Sequence, residues 1–157
     1  MEKNGDRLVF SVNGRHLALP LASVERVVER PRVYFLPGGR PPLMGVITHM
    51  AEPVTVIDLD RLFGAKTGSA APYTVVIARA GGKIVGLCAG AAGGKPSFLW
   101  SGDLRGAKPG PAAGKYISRA VELSGRIIEE LDCSSLYDEI SDLLSRPENM
   151  KGPAEGG

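Results

Sequence analysis

The sequence predicts a mostly β chain that ends in one helix, and three observations carry that expectation. The 21 glycines and 12 prolines fall between short apolar runs rather than in one block, which is the punctuation of many short strands. Turn-forming pairs, Asn13-Gly14, Gly81-Gly82 and Ser124-Gly125, each separate two such runs. Helical spacing of apolar residues is confined to two stretches, 20–29 and 135–146.

The elements follow in order. Leu8, Phe10 and Val12 alternate with Val9, Ser11 and Asn13 in an opening strand. Asn13-Gly14 then tolerates the positive φ of a two-residue hairpin turn, and residues 16–19 return. From Pro20 to Glu29, Leu21, Val24, Val27 and Val28 recur at spacings of three and four with Glu25, Arg26 and Glu29 between them, which predicts a helix with one apolar face. Residues 45–59, GVITHMAEPVTVIDL, hold an apolar strand, a polar interruption and a second apolar strand ending in Asp-Leu. Asp58 is expected to cap the helical turn 59–63, because its carboxylate accepts the orphan N–H groups of a helix start; the competing role is contact with a partner or ligand.

Residues 73–80 and 83–89 form the clearest hairpin, around Gly81-Gly82. Between Ser101 and Gly114 the sequence has too much Gly and Pro for a regular element and reads as a loop. Residues 115–123 and 126–131 give the last strand pair. Ser135 followed by Asp138 resembles a capping box, and Leu136, Ile140, Leu143 and Leu144 mark one side of the closing helix, which Arg146 and Pro147 end. One domain is expected over residues 1–146, with a tail at 147–157 that has no periodic apolar signal.

The last strand reads Arg-Ile-Ile-Glu-Glu-Leu-Asp. Adjacent strand residues point to opposite faces, so Glu129 and Glu130 require either an open face or a basic neighbour.

Composition bounds the function. At 157 residues and 16.5 kDa, with 43% hydrophobic and 23% charged residues, the chain has enough apolar material for one globular core. Its 19 basic and 17 acidic residues are interspersed, so no single-signed field exists to hold a phosphate backbone, and nucleic acid is not expected as a partner. The start, MEKNGDRLVF, lacks the apolar run of an export signal, and no stretch is long enough to cross a bilayer; a cytoplasmic protein without membrane insertion is expected. Cys88 and Cys133 have no metal-type spacing and read as buried small hydrophobes.

The search for chemistry returns near misses. Residues 89–96 approach a phosphate-binding loop, but Ala89 replaces its opening glycine and Pro96 its magnesium-holding hydroxyl. His16 and His49 have no Cys, Asp or Glu at metal-ligand spacing, and no serine lies in a Gly-x-Ser-x-Gly turn. No catalytic residue, metal or cofactor is expected.

Several pieces in order resemble the CheW-like coupling domain of bacterial chemotaxis. They are the Gly-containing turn after Phe10, the valines and acid at Val24, Glu25, Val27 and Val28, Leu36-Pro37, the Gly45-Val46-Ile47 strand, and Val56-Ile57-Asp58-Leu59. Residues 73–77, 84–87, 116–117 and 131–136 continue the order, so the likeness covers about 130 residues. It implies two SH3-like five-stranded barrels packed around a shared core, two structurally similar halves without an obvious sequence repeat, and no catalysis. It also implies partners: the regulatory domain of a histidine kinase, the signalling tip of a chemoreceptor, or both.

The departures are specific. Where the family typically reads Asn-Leu-Arg-Gly in an exposed turn, this chain has Thr48, His49, Met50 and Ala51, so the arginine fork is gone. Thr55 replaces a proline before Val56, and Ala89-Gly90 replaces a Val-Asp segment. Partner contact is expected at Val24, Val27, Gly45, Val46, Ile47, Met50 and Asp58, of which the apolar ones have core packing as their competing role. Met50 stands apart, since a flexible thioether at an exposed position suits an adaptable contact. Two other readings remain: a small-ligand-binding barrel, which needs Asp58, Glu129, His16 and His49 to converge on a cavity, and a structural remnant that has lost its partner.

Overall fold

The computed structural model describes residues 6–12, 14–35, 42–66, 68, 73–89, 98–103, 108–109, 115–123 and 125–145. The near-phosphate-loop residues 90–97 and the expected tail at 147–157 lie outside them. Twelve strands among the described residues are β1 (Asp6–Val12), β2 (Arg15–Pro20), β3 (Val24–Glu29), β4 (Tyr34–Phe35), β5 (Leu43–His49), β6 (Glu52–Asp58), β7 (Thr74–Ala80), β8 (Lys83–Cys88), β9 (Phe98–Asp103), β10 (Lys108–Pro109), β11 (Ile117–Leu123) and β12 (Arg126–Leu131). Helix α1 (Leu59–Leu62) follows β6, and α2 (Cys133–Ser145) follows β12.

The strands form two sheets, in the orders β10-β11-β12-β2-β1-β9 and β3-β7-β8-β6-β5-β4. Each has five strands of six or seven residues and one of two. The second sheet is rolled by simple geometry. From Glu29, at the end of one edge strand, to Tyr34, at the start of the other, the chain reaches at most about 18 Å. A flat six-stranded sheet separates its edges by about 24 Å. The two edges therefore approach each other, although β3 and β4 share no ladder, so the barrel is rolled without being closed by backbone pairing.

The halves are the same motif cut at a different point. Reading the first sheet as β9 through β12 followed by β1 and β2 reproduces β3 through β8 strand for strand: one parallel pair in each (β12 with β2, β6 with β8) and antiparallel pairs elsewhere. The bulges coincide as well. Glu25 is the extra residue of β3 and Leu99 that of β9, while Met44 and Ser118 occupy matching places in β5 and β11. Asp58 and Asp132 then cap the two helices at equivalent positions.

One of these bulges overturns the helix expected at 20–29. The segment is a 3-10 turn, Leu21–Ser23, followed by β3. Val24 pairs with Ala78 and Arg26 with Ile77, so the extra residue puts Val24 and Val27 on one face although they are three apart. A bulged strand thus imitates helical spacing, and its β-branched valines favour the strand. The loop expected at 101–114 likewise contains the end of β9 and all of β10. The capping-box expectation shifts upstream: Asp132 accepts the Ser135 N–H at 3.2 Å and the Ser135 hydroxyl at 2.9 Å, so α2 starts at Cys133.

The main core lies between the halves, built from Phe10, Leu17 and Leu19 of the first sheet, Ile57, Val76 and Leu87 of the second, and Leu136 and Ile140 of α2. The opposite face of the second sheet encloses its own cluster, including Ile47, Val54, Val56, Val75 and Ile77. The matching face of the first holds only Val9, Ala18, Val121 and Ile128. Beside them, where the second barrel has Gly45, Val56 and Val75, the first has Arg119, Glu130 and Arg7.

Both glutamates of the last strand have basic neighbours. Glu130, 6% exposed, pairs with the Arg7 Nε and with the Arg119 Nε at 2.8 Å. Glu129 pairs with Arg15, whose Nε lies 3.2 Å from the carboxylate and whose guanidinium sits 4.6 Å over the Phe63 ring. Burial pushes the Glu130 carboxyl up, but hydrogen bonds from Arg119 and Arg7 outweigh it and hold the group below its usual 4.5. A depressed carboxylate stabilises the fold above the unfolded value and loses that contribution as pH falls through the folded one. Thermal unfolding is therefore expected to drop as pH falls below about 4.5, and Glu130→Gln to flatten that slope.

Candidate protein-interaction site

One mouth of the second barrel is closed by side chains where backbone pairing fails. The Glu25 bulge aims its carboxylate across the opening, where it accepts from Arg79 Nε at 2.6 Å and Nη2 at 3.3 Å and lies 3.1 Å from His49 Nε2. Arg79 also reaches Glu52 at 3.2 Å. The four residues come from β3, β5, β6 and β7. The Arg79 hydrogen bonds hold the Glu25 carboxyl below its ordinary range against burial, and the same contacts raise the Arg79 guanidinium. The sequence could not announce this network, since its members lie 24, 27 and 54 positions apart.

Above that mouth, His49 pairs with Glu52 and the two-residue turn Met50-Ala51 joins β5 to β6. Both turn residues have positive φ, 51° and 65°, the pattern of a type I′ turn. Side chains there cost about 1 kcal/mol or more each relative to glycine. Gly125 holds the equivalent place in the other half, at φ 79°. Ala51→Gly is accordingly expected to raise stability by about 1 kcal/mol, read from the midpoint of chemical unfolding.

From the turn, a row of uncharged side chains runs down the outside of the second barrel, with Arg32 against its Tyr34 end. Tyr34, Val46 and Thr55 stand directly opposite one another on β4, β5 and β6, with Thr48 and Pro53 as the next row. Tyr34 and Phe35 are 56% and 59% exposed on the edge strand, and Met50 is 82% exposed. The Arg32 guanidinium lies 5.9 Å from the Tyr34 ring, and Phe35 meets Tyr73 edge-on at 6.2 Å. Sequence reading passed over Tyr34 and Phe35. Their signal was an aromatic pair just before Leu36-Pro37, too short a run to register as a strand.

The expected contact residues divide. Met50 and the half-buried Val46 lie on this surface, while Val24 and Val27 are half-buried and pack against the main core. Ile47, 2% exposed, points into the second barrel and Gly45 is buried, so neither presents a side chain to a partner. The Asp58 carboxylate is used in its cap, accepting from the N–H groups of Asp60 at 3.1 Å and Arg61 at 3.4 Å. Burial takes the Ile47 and Asp58 side chains off the surface and covers Val24 and Val27 only in part.

The groups a small-ligand site would need are dispersed. His49 faces Glu25, Glu129 faces Arg15 and Asp58 caps α1. A cleft at the start of α2 is lined by Pro20, Ser23, Ser118, Leu131, Asp132, Cys133 and Ser134, with none of them. Burial, assisted by the Asp132 charge, pushes the Cys133 thiol up to about 12, which keeps it protonated at neutral pH. Among the described residues no three His, Cys, Asp or Glu side chains gather as metal ligands, and no helix is long and apolar enough to cross a membrane.

Two similar six-stranded halves packed around one core define a mostly β, two-barrel domain. The chain belongs to the CheW-like domain family, whose model matches residues 6–141. Its fold is similar to that of the scaffolding protein TtCheW from Thermoanaerobacter tengcongensis, at a TM-score of 0.66 and 20% identity, over 82% of this chain and 88% of that one. No curated protein matches the chain significantly.

Proposed function

We propose that this protein is a non-catalytic cytoplasmic adaptor of chemotaxis-type signalling, a single domain over residues 1–146 that couples chemoreceptors to a histidine kinase. Family membership supports the adaptor class. The observation that carries the contact site is the row of exposed and half-buried side chains on the outer face of the second barrel, Tyr34, Val46 and Thr55, ending at Met50. Exposed aromatics on an edge strand bury large area at low entropic cost.

The assignment is the kinase regulatory domain, the receptor signalling tip, or both in turn, with weak contacts combined by multivalency in an array. The test is calorimetric titration of the full chain with each of these, taken from the same cell. Binding to at least one is expected, weakened about tenfold or more by Tyr34→Glu or Val46→Glu. Binding to neither would remove the adaptor reading and leave the remnant.

A further inference from the structure

The Met50-Ala51 turn carries side chains where its backbone favours glycine, and Met50 gains nothing from packing inside the chain, being the most exposed large hydrophobic residue described. Its base is fixed rather than loose. His49, 6% exposed, is held by Glu25, and Glu25 and Glu52 are both held by Arg79. Two carboxylates share one guanidinium, so Glu25, Glu52 and Arg79 together carry one net negative charge. Glu52 is the more open of the two, its side chain 45% exposed against 29% for Glu25. An apolar tip thus rises from a rigid, acidic base.

We infer that this turn sets partner specificity: Met50 enters a shallow apolar pocket on the partner protein, and a lysine or arginine on that pocket's rim faces Glu52. The inference rests on the adaptor reading and names the chemistry of its partner. A flexible thioether adapts to a pocket that a rigid branched side chain would have to match in shape. The acidic collar attracts a basic rim and repels an acidic one, so it also excludes partners that would suit a cationic turn. The pre-ordered base means that little freedom is lost on docking.

The test titrates the full chain and its variants with the kinase regulatory domain and the receptor signalling tip at low and high salt. Met50→Ala is expected to weaken binding about tenfold at both salt concentrations. Glu52→Lys is expected to weaken it about tenfold at low salt, with the difference shrinking at high salt. Both sites are exposed, and unchanged thermal unfolding of Met50→Ala separates lost contact from lost fold. If a probe binds the parent and both Met50→Ala and Glu52→Lys as tightly as each other, the specificity role is wrong while the adaptor reading stands. If Glu52→Lys binds more tightly, the partner's rim is acidic and the stated chemistry is wrong. If neither probe binds the parent, the adaptor reading fails and takes this inference with it.

Discussion

Glu130→Ala is expected to destabilise the fold by about 3–5 kcal/mol, whereas Arg7→Val with Glu130→Val is expected to stay within about 1 kcal/mol of the parent. The single change takes from the Arg7 guanidinium, 13% exposed, the carboxylate that hydrogen bonds to its Nε, so a largely desolvated charge loses that contact. Arg119 suffers less, because it is 53% exposed and water replaces the lost contact. The double change removes both charges and installs the pair that the other half already uses, Val56 and Val75. Between those valines sits Gly86, where an added Cβ would lie 3.0 Å from Val75 Cγ1 and 3.1 Å from Val56 Cγ2. The first half has Ala18 there, so some crowding remains in the double variant and Ala18→Gly relieves it. Chemical unfolding of the parent, Arg7→Val, Glu130→Val and the double variant closes the cycle. A double variant as unstable as Glu130→Ala would mean that the ion pair contributes more than the apolar pair can replace.

The comparison between the halves also explains which parts of the fold were legible in the sequence. Hairpins announced themselves where glycine supplies the unusual backbone of the turn: Gly14, Gly81, Gly82 and Gly125 all have positive φ. Asp58 as a cap was legible too, because the chemistry of a helix start is local. Reading failed where one residue was added or a strand was too short. Glu25 in its bulge made β3 look helical, and the two-residue strands β4 and β10 carry no period at all. The same failure hid the site. Its aromatics sit on β4, and its polar base is assembled by rolling the sheet until β3 meets β5, which no spacing in the sequence encodes. What the sequence did carry was Met50, legible because it stood where an arginine was expected, and Glu129 and Glu130, legible because strand alternation forbade both from reaching water.

Gly45→Ala is expected to cost about 1–3 kcal/mol and to abolish partner binding without touching the partner. A Cβ built on Gly45 would overlap the Tyr34 carbonyl oxygen and stand 3.0 Å from Val33 Cγ1. The obstacle is backbone, which has no rotamer to change, so relief requires β4 to move away from β5. That movement breaks the pairs Tyr34 with Val46 and Phe35 with Gly45, which are all that attaches the edge strand to the sheet by its ladder. Tyr34 and Phe35 then lose the backbone that presents them, and the row across Val46 and Thr55 loses its outer member. Gly45 thus matters to the surface by allowing close approach rather than by contact, a role that its burial permits and its exposure would not. Hydrogen exchange separates this from general destabilisation: protection is expected to fall at Val46 and Tyr34 while that of Leu17, Leu19 and Leu87 in the main core changes only with global stability. Uniform loss of protection across both barrels would show that the glycine supports the whole fold instead of one strand's seat.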